Sequence, residues 1–372
     1  MTKDTMRTWA EIDLGAVRHN VKAMRAAFPE GTKYLAVVKT NAYGHGAVPV
    51  ARAALEAGAA YLAVACLPEA EELRSAGIDA PILILGVTPP EFAERARELN
   101  VTQAVGSLRC ARALSAALRG ALRVHMKLDT GMSRTGFDAV RPERFDDIAE
   151  ALALPRLEYE GVFTHFAVSD VCGDGFTAAQ FERFTRTVER AETMLGRRFA
   201  LRHCANSGAV VNYKEFAMDM VRPGIMLYGC YPGPERGGID LRPVMALKSR
   251  VFAITEHFPG DTVSYGRTFQ ADKPMRLAVV PIGYGDGLHR LLSGKIDVLI
   301  RGRRCRQVGR ICMDMCMVDV SGLPECAEGD VVTIFGRDGD AEIRVDELAE
   351  KAGTISYELL CAVAPRVPRI YL

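Results

Sequence analysis

Short apolar segments alternate with segments of helical period over the first part of the chain, and β-rich segments punctuated by Gly, Pro and Asp fill the remainder. At 372 residues the length suits two domains better than one. Together these observations predict an α/β protein: an N-terminal (β/α)8 TIM-like barrel followed by a C-terminal mostly-β domain. The turn-rich stretch Cys230–Gly238 marks the boundary, giving a barrel over 1–235 and a β domain over 236–372. Residues 1–12 are able to pair with the β domain.

In chain order, Thr8 to Asp13 alternates like a strand. Asp13 can then cap a helix carrying Leu14, Val17, Val21, Met24 and Phe28 at helical spacing. The eight barrel strands are expected to begin near Lys33, Tyr61, Pro81, Val101, Leu122, Leu157, Ala200 and Met218. Helical period between them is clearest over Val48–Glu56, Glu69–Ser75, Glu91–Leu99 and Phe181–Met194. In the second domain, Val244–Thr255, Arg276–Ile282, Lys295–Ile300, Met315–Val320 and Asp330–Phe335 read as strands. One short helix, Val345–Ala352, interrupts them.

Composition narrows the function. A formal net charge of +1 gives no general electrostatic case for nucleic acid or an acidic membrane. The basic run Arg301, Arg303, Arg304 and Arg306 has no interleaved aromatics to stack bases and reads as a solvated strand face or tight hairpin. Met1 to Arg18 lacks the apolar core of a signal peptide, and no apolar run is long enough to span a bilayer. A cytoplasmic location is therefore expected, and the ten cysteines are expected to be reduced. Cys312 and Cys316 form a close pair without flanking His or Cys at zinc spacing, so no metal is expected.

The polar residues that stand out fall at the strand ends: Lys39 after the first, Lys127 after the fifth, His165 after the sixth, His203 and Asn206 after the seventh, Arg222 after the eighth. In this fold the C-terminal mouth carries the chemistry, and the last two loops often hold phosphate. A lysine at the mouth of the buried run Tyr34–Val38 can be desolvated into a nucleophile, although most strand-end lysines simply reach out to water.

The segment Ala36-Val37-Val38-Lys39-Thr40-Asn41-Ala42-Tyr43-Gly44-His45-Gly46 resembles the pyridoxal-phosphate attachment motif of bacterial alanine racemases. Further blocks resemble that family in its order: Lys127–Arg134, Thr164–Phe166, His203–Ser207, Val221–Gly229, Val263–Gly266, Gly309–Asp314 and Ile355–Glu358. They cover essentially the whole chain.

The resemblance implies a pyridoxal 5'-phosphate (PLP) enzyme that interconverts L- and D-alanine, supplying D-alanine for peptidoglycan. Lys39 would form the Schiff base with the cofactor. Tyr43, Ser207 and Tyr357 would hold its phosphate with the backbone N–H groups of Gly224 and Ile225. His203 would pack beside it, with Asn206 nearby. Arg222 would donate to the ring nitrogen, and Arg134 would meet the phenolic oxygen and the substrate carboxylate. Ser207 could equally cap a helix.

Racemisation needs a proton to leave one face of Cα and arrive on the other. By resemblance Lys39 and Tyr265 are the two bases, with His165 beside Arg222 as the relay that helps the phenol. Tyr265 and the backbone N–H of Met313 would come from the partner subunit, which implies a homodimer with shared active sites. Tyr284, Arg290, Arg310, Asp170 and Ile355 match the family's substrate corridor less specifically, and Tyr284 would be a substrate contact there. Lys127 matches a position that some members carry as a carbamate. Ser133, Thr135 and Ser356 depart from the residues of many members and leave room for serine as a substrate. A PLP decarboxylase on a related architecture and a non-catalytic PLP carrier remain the alternative readings.

Overall fold

The computed structural model describes residues 5–372, so Met1 to Asp4, where the expected pairing segment begins, lie outside the described residues. The described chain divides into two compact units: one of Ala16–Ala42 and Ala47–Arg242, the other of residues 5–15, Tyr43–Gly46 and Pro243–Leu372.

The first unit is built on eight parallel strands: Lys33–Val37, Tyr61–Val64, Ile82–Ile84, Thr102–Val105, Leu122–Asp129, Leu157–Phe163, Leu201–His203 and Met220–Val221. Neighbours in sequence are neighbours in the sheet, and Met220–Val221 returns to pair with Lys33–Tyr34. The circle is drawn shut between the seventh and eighth strands by Asp219 N–H to Arg202 C=O (3.0 Å) and Arg222 N–H to Ala205 C=O (2.9 Å). This is the (β/α)8 barrel that the alternation predicts. Strands covered on both faces read as continuous apolar runs, which is why Tyr61–Val64 and Ile82–Ile84 are buried at every position.

Helices cover the outside, among them Ala47–Glu56, Leu67–Ser75, Leu108–Ala117, Phe145–Ala153 and Phe176–Leu195. Ser107 caps Leu108–Ala117 by accepting the Cys110 N–H at 3.2 Å. The barrel has one irregularity that matters for the site. Between Leu122–Asp129 and Leu157–Phe163, Val124 faces Tyr159 but His125 faces Gly161, so Glu160 is the extra residue of a β-bulge.

The second unit is mostly antiparallel. Its sheet runs in the order Ala253–His257, Met275–Val280, Cys316–Asp319, Arg303–Val308, Asp297–Ile300, Val331–Asp338, Met245–Arg250, Thr8–Ile12, Arg369–Tyr371. Thr8–Ile12 pairs antiparallel with Met245–Arg250 and parallel with Arg369–Tyr371, and all five of its residues are buried where one-sided alternation was expected. A small core of Val263, Ala271, Met275, Leu277 and Val308 sits under the strands at one edge. The basic run forms a hairpin with Asp297–Ile300, and its arginines pair with acids, Arg304 with Glu347 (2.8 Å) and Arg301 with Asp330 (2.7 Å). A second helix, Ser356–Ala362, follows the expected one at Val345–Ala352. No helix among the described residues is long and apolar enough to cross a membrane.

Candidate active site

Lys39 follows the first barrel strand and leads directly into an unusual backbone. Thr40, Asn41, Ala42 and Tyr43 all have φ between 51° and 54°, a left-handed helical turn made without glycine. For L-residues this conformation costs roughly 1–2 kcal/mol each, so it persists only where the surroundings enforce it. Glu69 does part of that work, accepting the Thr40 N–H at 2.6 Å and the Ala65 N–H at 2.7 Å. Asn41 Oδ1 ties the far end by accepting the Ala47 N–H at 2.8 Å. Sequence reading missed Glu69; its place three residues into a helix that begins after Cys66 is a capping-box position and was the available signal.

The remaining barrel residues gather around Arg222, which is fully buried beyond the eighth strand. Its Nη1 lies 2.9 Å from His203 Nδ1, and Nη2 donates to the Thr164 C=O at 2.6 Å and the Cys204 C=O at 3.4 Å. Its Nε–H finds no acceptor among the described residues. Burial lowers the guanidinium to about 10, still protonated at neutral pH. The His203 ring stacks on Phe163 with 5.0 Å between centroids and 3° between planes.

His165, expected beside Arg222 as the relay, makes no hydrogen bond to it among the described residues; the imidazole bonded to Arg222 is His203. His165 instead sits in a field of cations. Burial, then Arg222, Arg134, Lys127 and Lys39, hold it well below the ordinary imidazole range. Lys127 feels the same field: burial, then Arg222 and Arg134, bring it down to about 8 against the pull of Asp129. Its Nζ lies 5.5 Å from the Phe163 ring centroid. Asp129 also shapes the loop that presents Arg134, accepting the Gly131 and Ser133 N–H groups at 3.0 Å each.

At the seventh strand, the cap of helix Ser207–Asn212 is Asn206 and not Ser207. Asn206 Oδ1 accepts the Ala209 N–H (3.2 Å) and the Ser169 hydroxyl (2.6 Å), and Nδ2 donates to the Phe166 C=O (3.2 Å). Both Asn and Ser make good caps, and the sequence offered them side by side. Ser207 Oγ is left to accept the Gly224 N–H at 2.9 Å. Ile225 opens a short 3-10 turn, whose first N–H has no partner within the turn itself.

The other expected site residues belong to the second unit. Tyr43 and Tyr357 face each other with ring centroids 6.0 Å apart, and burial pushes the Tyr43 phenol upward. Tyr265, Tyr284 and Met313 are exposed there, at 71%, 43% and 54% of their surface. Ser264, before Tyr265, donates its hydroxyl to the Arg310 C=O at 2.6 Å. The turn of Tyr284 is stapled to the loop of Met313 by Tyr284 N–H to Cys312 C=O (3.0 Å) and Gly285 N–H to Met313 C=O (2.8 Å). A Cβ on Gly283 would lie 2.2 Å from the Cys312 carbonyl oxygen, so only glycine permits this approach. Asp286, another residue missed from sequence, anchors the turn by accepting from Arg7 Nη2 (2.6 Å), Arg366 Nε (2.8 Å) and the Gly283 N–H (3.0 Å).

A barrel whose C-terminal mouth collects two lysines, two arginines and a neutral imidazole defines an α/β-barrel enzyme suited to a small anionic substrate. Sequence comparison sharpens that class. Residues 12–232 match the model of the alanine racemase N-terminal domain and residues 244–371 that of the C-terminal domain. The alanine racemases of Desulfovibrio desulfuricans and Desulforamulus reducens are each 47% identical over 369 residues, covering 98% of this chain and 98% of theirs. Among solved structures, the alanine racemase of a D-cycloserine-producing Streptomyces lavendulae matches with TM-score 0.93 at 38% identity, covering 99% of this chain and 97% of that one. The Bacillus anthracis alanine racemase with bound L-Ala-P matches with TM-score 0.92 at 37% identity, covering 98% and 95%. The chain belongs to the alanine racemase family, a family of isomerases.

Proposed function

We propose that this enzyme interconverts L- and D-alanine with pyridoxal 5'-phosphate, in a homodimer with two shared sites, and supplies D-alanine for peptidoglycan in the cytoplasm. The observation that carries the reading is Arg222. It is a buried, protonated guanidinium, backed by a neutral imidazole, with an N–H that finds no acceptor among the described residues. Such a donor fits a heterocyclic nitrogen, and Arg134, another of the cations around His165, fits a phenolic oxygen and a substrate carboxylate.

Bound pyridoxal phosphate supplies a carbonyl that captures amines and an electron-poor ring that acidifies the Cα–H of the captured amino acid. Lys39 would hold the cofactor covalently; Tyr43, Ser207 and Tyr357, with the N–H groups of Gly224 and Ile225, would hold its phosphate. His203 packs behind Arg222, and Asn206 holds the Ser207 helix in place. Arg222 gives the ring nitrogen a hydrogen bond without surrendering its proton, because a guanidinium is far too weak an acid for that. A nitrogen left unprotonated by Arg222 in this way would favour simple return of the proton to Cα over side reactions. Arg134 and the Met313 N–H would orient the substrate carboxylate, with Tyr284 narrowing the approach. Lys39 serves as acid and base on one face of Cα and the partner-supplied Tyr265 on the other, assisted by the neutral His165. Lys127, carried as a carbamate, would give Arg134 an anionic partner.

The test is direct. PLP-loaded protein given L-alanine should form D-alanine to an equal mixture without releasing carbon dioxide, and borohydride reduction should end the activity. Carbon dioxide release would point to a decarboxylase, and bound cofactor without turnover to a carrier.

A further inference from the structure

Behind Arg222 a line of polar side chains crosses the barrel interior that the reaction described above does not use. His203 Nε2 lies 2.8 Å from His125 Nδ1, and His125 Nε2 lies 3.3 Å from Glu160 Oε2. Tyr61 donates its hydroxyl to the same oxygen at 2.7 Å. His125 and His203 are fully buried.

The ends of this line fix everything between them. A guanidinium can only donate, so His203 Nδ1 must be a bare acceptor and its proton must sit on Nε2. That proton points at His125 Nδ1, which must also be bare, placing the second proton on His125 Nε2. A carboxylate can only accept, and Glu160 is there to receive it. An imidazolium at His125 would aim an N–H at the N–H of His203, so both rings are neutral. Burial acts the same way, lowering both imidazoles from their ordinary value. Glu160 stays ionised: the N–H of His125 holds its carboxyl down at about 2, with Tyr61 helping and burial opposing.

The backbone is shaped for this contact. Glu160 is the bulged residue, the device by which a strand re-aims one side chain. Its neighbour Gly161 is also required, because a Cβ there would lie 2.7 Å from His125 Cε1 and Nε2.

We propose that Glu160 is a positioning residue: its carboxylate dictates the tautomers of His125 and His203 and so keeps Arg222 oriented as a donor toward the ring nitrogen of the bound cofactor. The proposal rests on the assignment of Arg222 to that nitrogen. Without the carboxylate the two imidazoles can both reverse, which turns an N–H of His203 against the guanidinium.

The experiment is 15N NMR of the histidine-labelled holoenzyme, with His125 and His203 assigned by single substitution. Each ring of the wild-type protein should carry one proton, on Nε2, at neutral pH. Glu160→Gln, whose amide can donate as well as accept, should populate the reversed tautomers and lower kcat about tenfold or more, as loss of an outer partner does at other tuned sites. KM for alanine should move little, and Glu160→Asp should restore the wild-type tautomers in part. A proton on His203 Nδ1 in the wild-type enzyme overturns the proposal even if no variant folds. Unchanged tautomers and kcat in Glu160→Gln also overturn it. Tautomers that respond as stated in a protein that racemises nothing would support the chain and refute the racemase reading.

Discussion

Ser207 Oγ accepts the backbone N–H of Gly224 at 2.9 Å, joining the loops after the seventh and eighth barrel strands. A hydroxyl that accepts one hydrogen bond still has its own proton to give, so this pair can brace two loops and donate outward together.

Ser207→Ala therefore has two effects. The buried Gly224 N–H loses its acceptor, which costs about 1–3 kcal/mol of stability. A donor to the phosphate also disappears, and a hydrogen bond to a charged group is worth about 1.5–3 kcal/mol, roughly tenfold to a hundredfold in PLP affinity. Thermal unfolding and fluorescence titration of the apoenzyme read the two separately. A loss of stability with unchanged affinity would reduce Ser207 to a structural brace.

Lys127 should make stability depend on pH. Its folded-state value is about 8 against an ordinary 10.5. Between those limits the unfolded chain binds the lysine proton and the folded chain does not, so stability rises with pH across the window. Below about 8 the penalty is present in full, on the order of 3 kcal/mol. In buffer freed of carbon dioxide, Lys127→Met should be more stable than the wild type at pH 7, and the gap should close by about pH 10.5. Added bicarbonate should narrow the gap at neutral pH by converting the amine to a carbamate. A gap independent of both pH and bicarbonate would show that Lys127 neither titrates nor reacts as described.

The left-handed turn after Lys39 gives an opposite pairing of stability and rate. Thr40 is exposed, β-branched and at φ 54°, a conformation that strains such a residue most. Thr40→Gly releases roughly 1–2 kcal/mol of that strain. The greater freedom of glycine in the unfolded chain returns about 0.4–1 kcal/mol, so a small net gain in stability is expected. The same freedom loosens Lys39, and kcat should fall. Glu69→Gln, which weakens the grip on the Thr40 N–H, should lower kcat without that gain. Denaturant melts and initial rates check both; a faster enzyme from Thr40→Gly would show that the turn is not there to hold the lysine.

The barrel was legible because parallel strands buried on both faces leave runs such as Tyr61–Val64 and Ile82–Ile84, and each is followed by a segment of helical period. The mouth was legible for a related reason. Polar residues that end or follow apolar strands stand out, and Lys39, His203 and Arg222 were found that way; Lys127, expected after the fifth strand, lies within it, because the strand runs on to Asp129. The turn at Thr40–Tyr43 could not be read: Asn41 alone is a residue that visits positive φ readily, and then singly, whereas here four residues in a row adopt it. Nor could the line from Arg222 to Glu160. His125 lies within a strand and meets Glu160 only because a bulge shifts the register by one residue. The identity of the cap at Asn206–Ser207 was a choice between two equally good residues that only the Gly224 N–H decides.

Lys39 and Tyr265 are best separated by an experiment on the proton itself. L- and D-alanine have equal free energies, so kcat/KM must be the same in both directions for any variant. No substitution can lower kcat/KM in one direction alone. Exchange of the α-proton with solvent obeys no such rule, because the substrate can lose and regain its proton on one face. In heavy water, Tyr265→Phe should lose α-proton exchange from L-alanine by about a hundredfold or more, the scale of one general base, while exchange from D-alanine persists through Lys39. Racemisation should fall equally from either side. Lys39→Ala should abolish racemisation from both enantiomers and lose exchange from D-alanine. Proton NMR of the α position follows exchange and polarimetry follows inversion. Equal, mild losses of exchange from both enantiomers in Tyr265→Phe would mean that one base serves both faces.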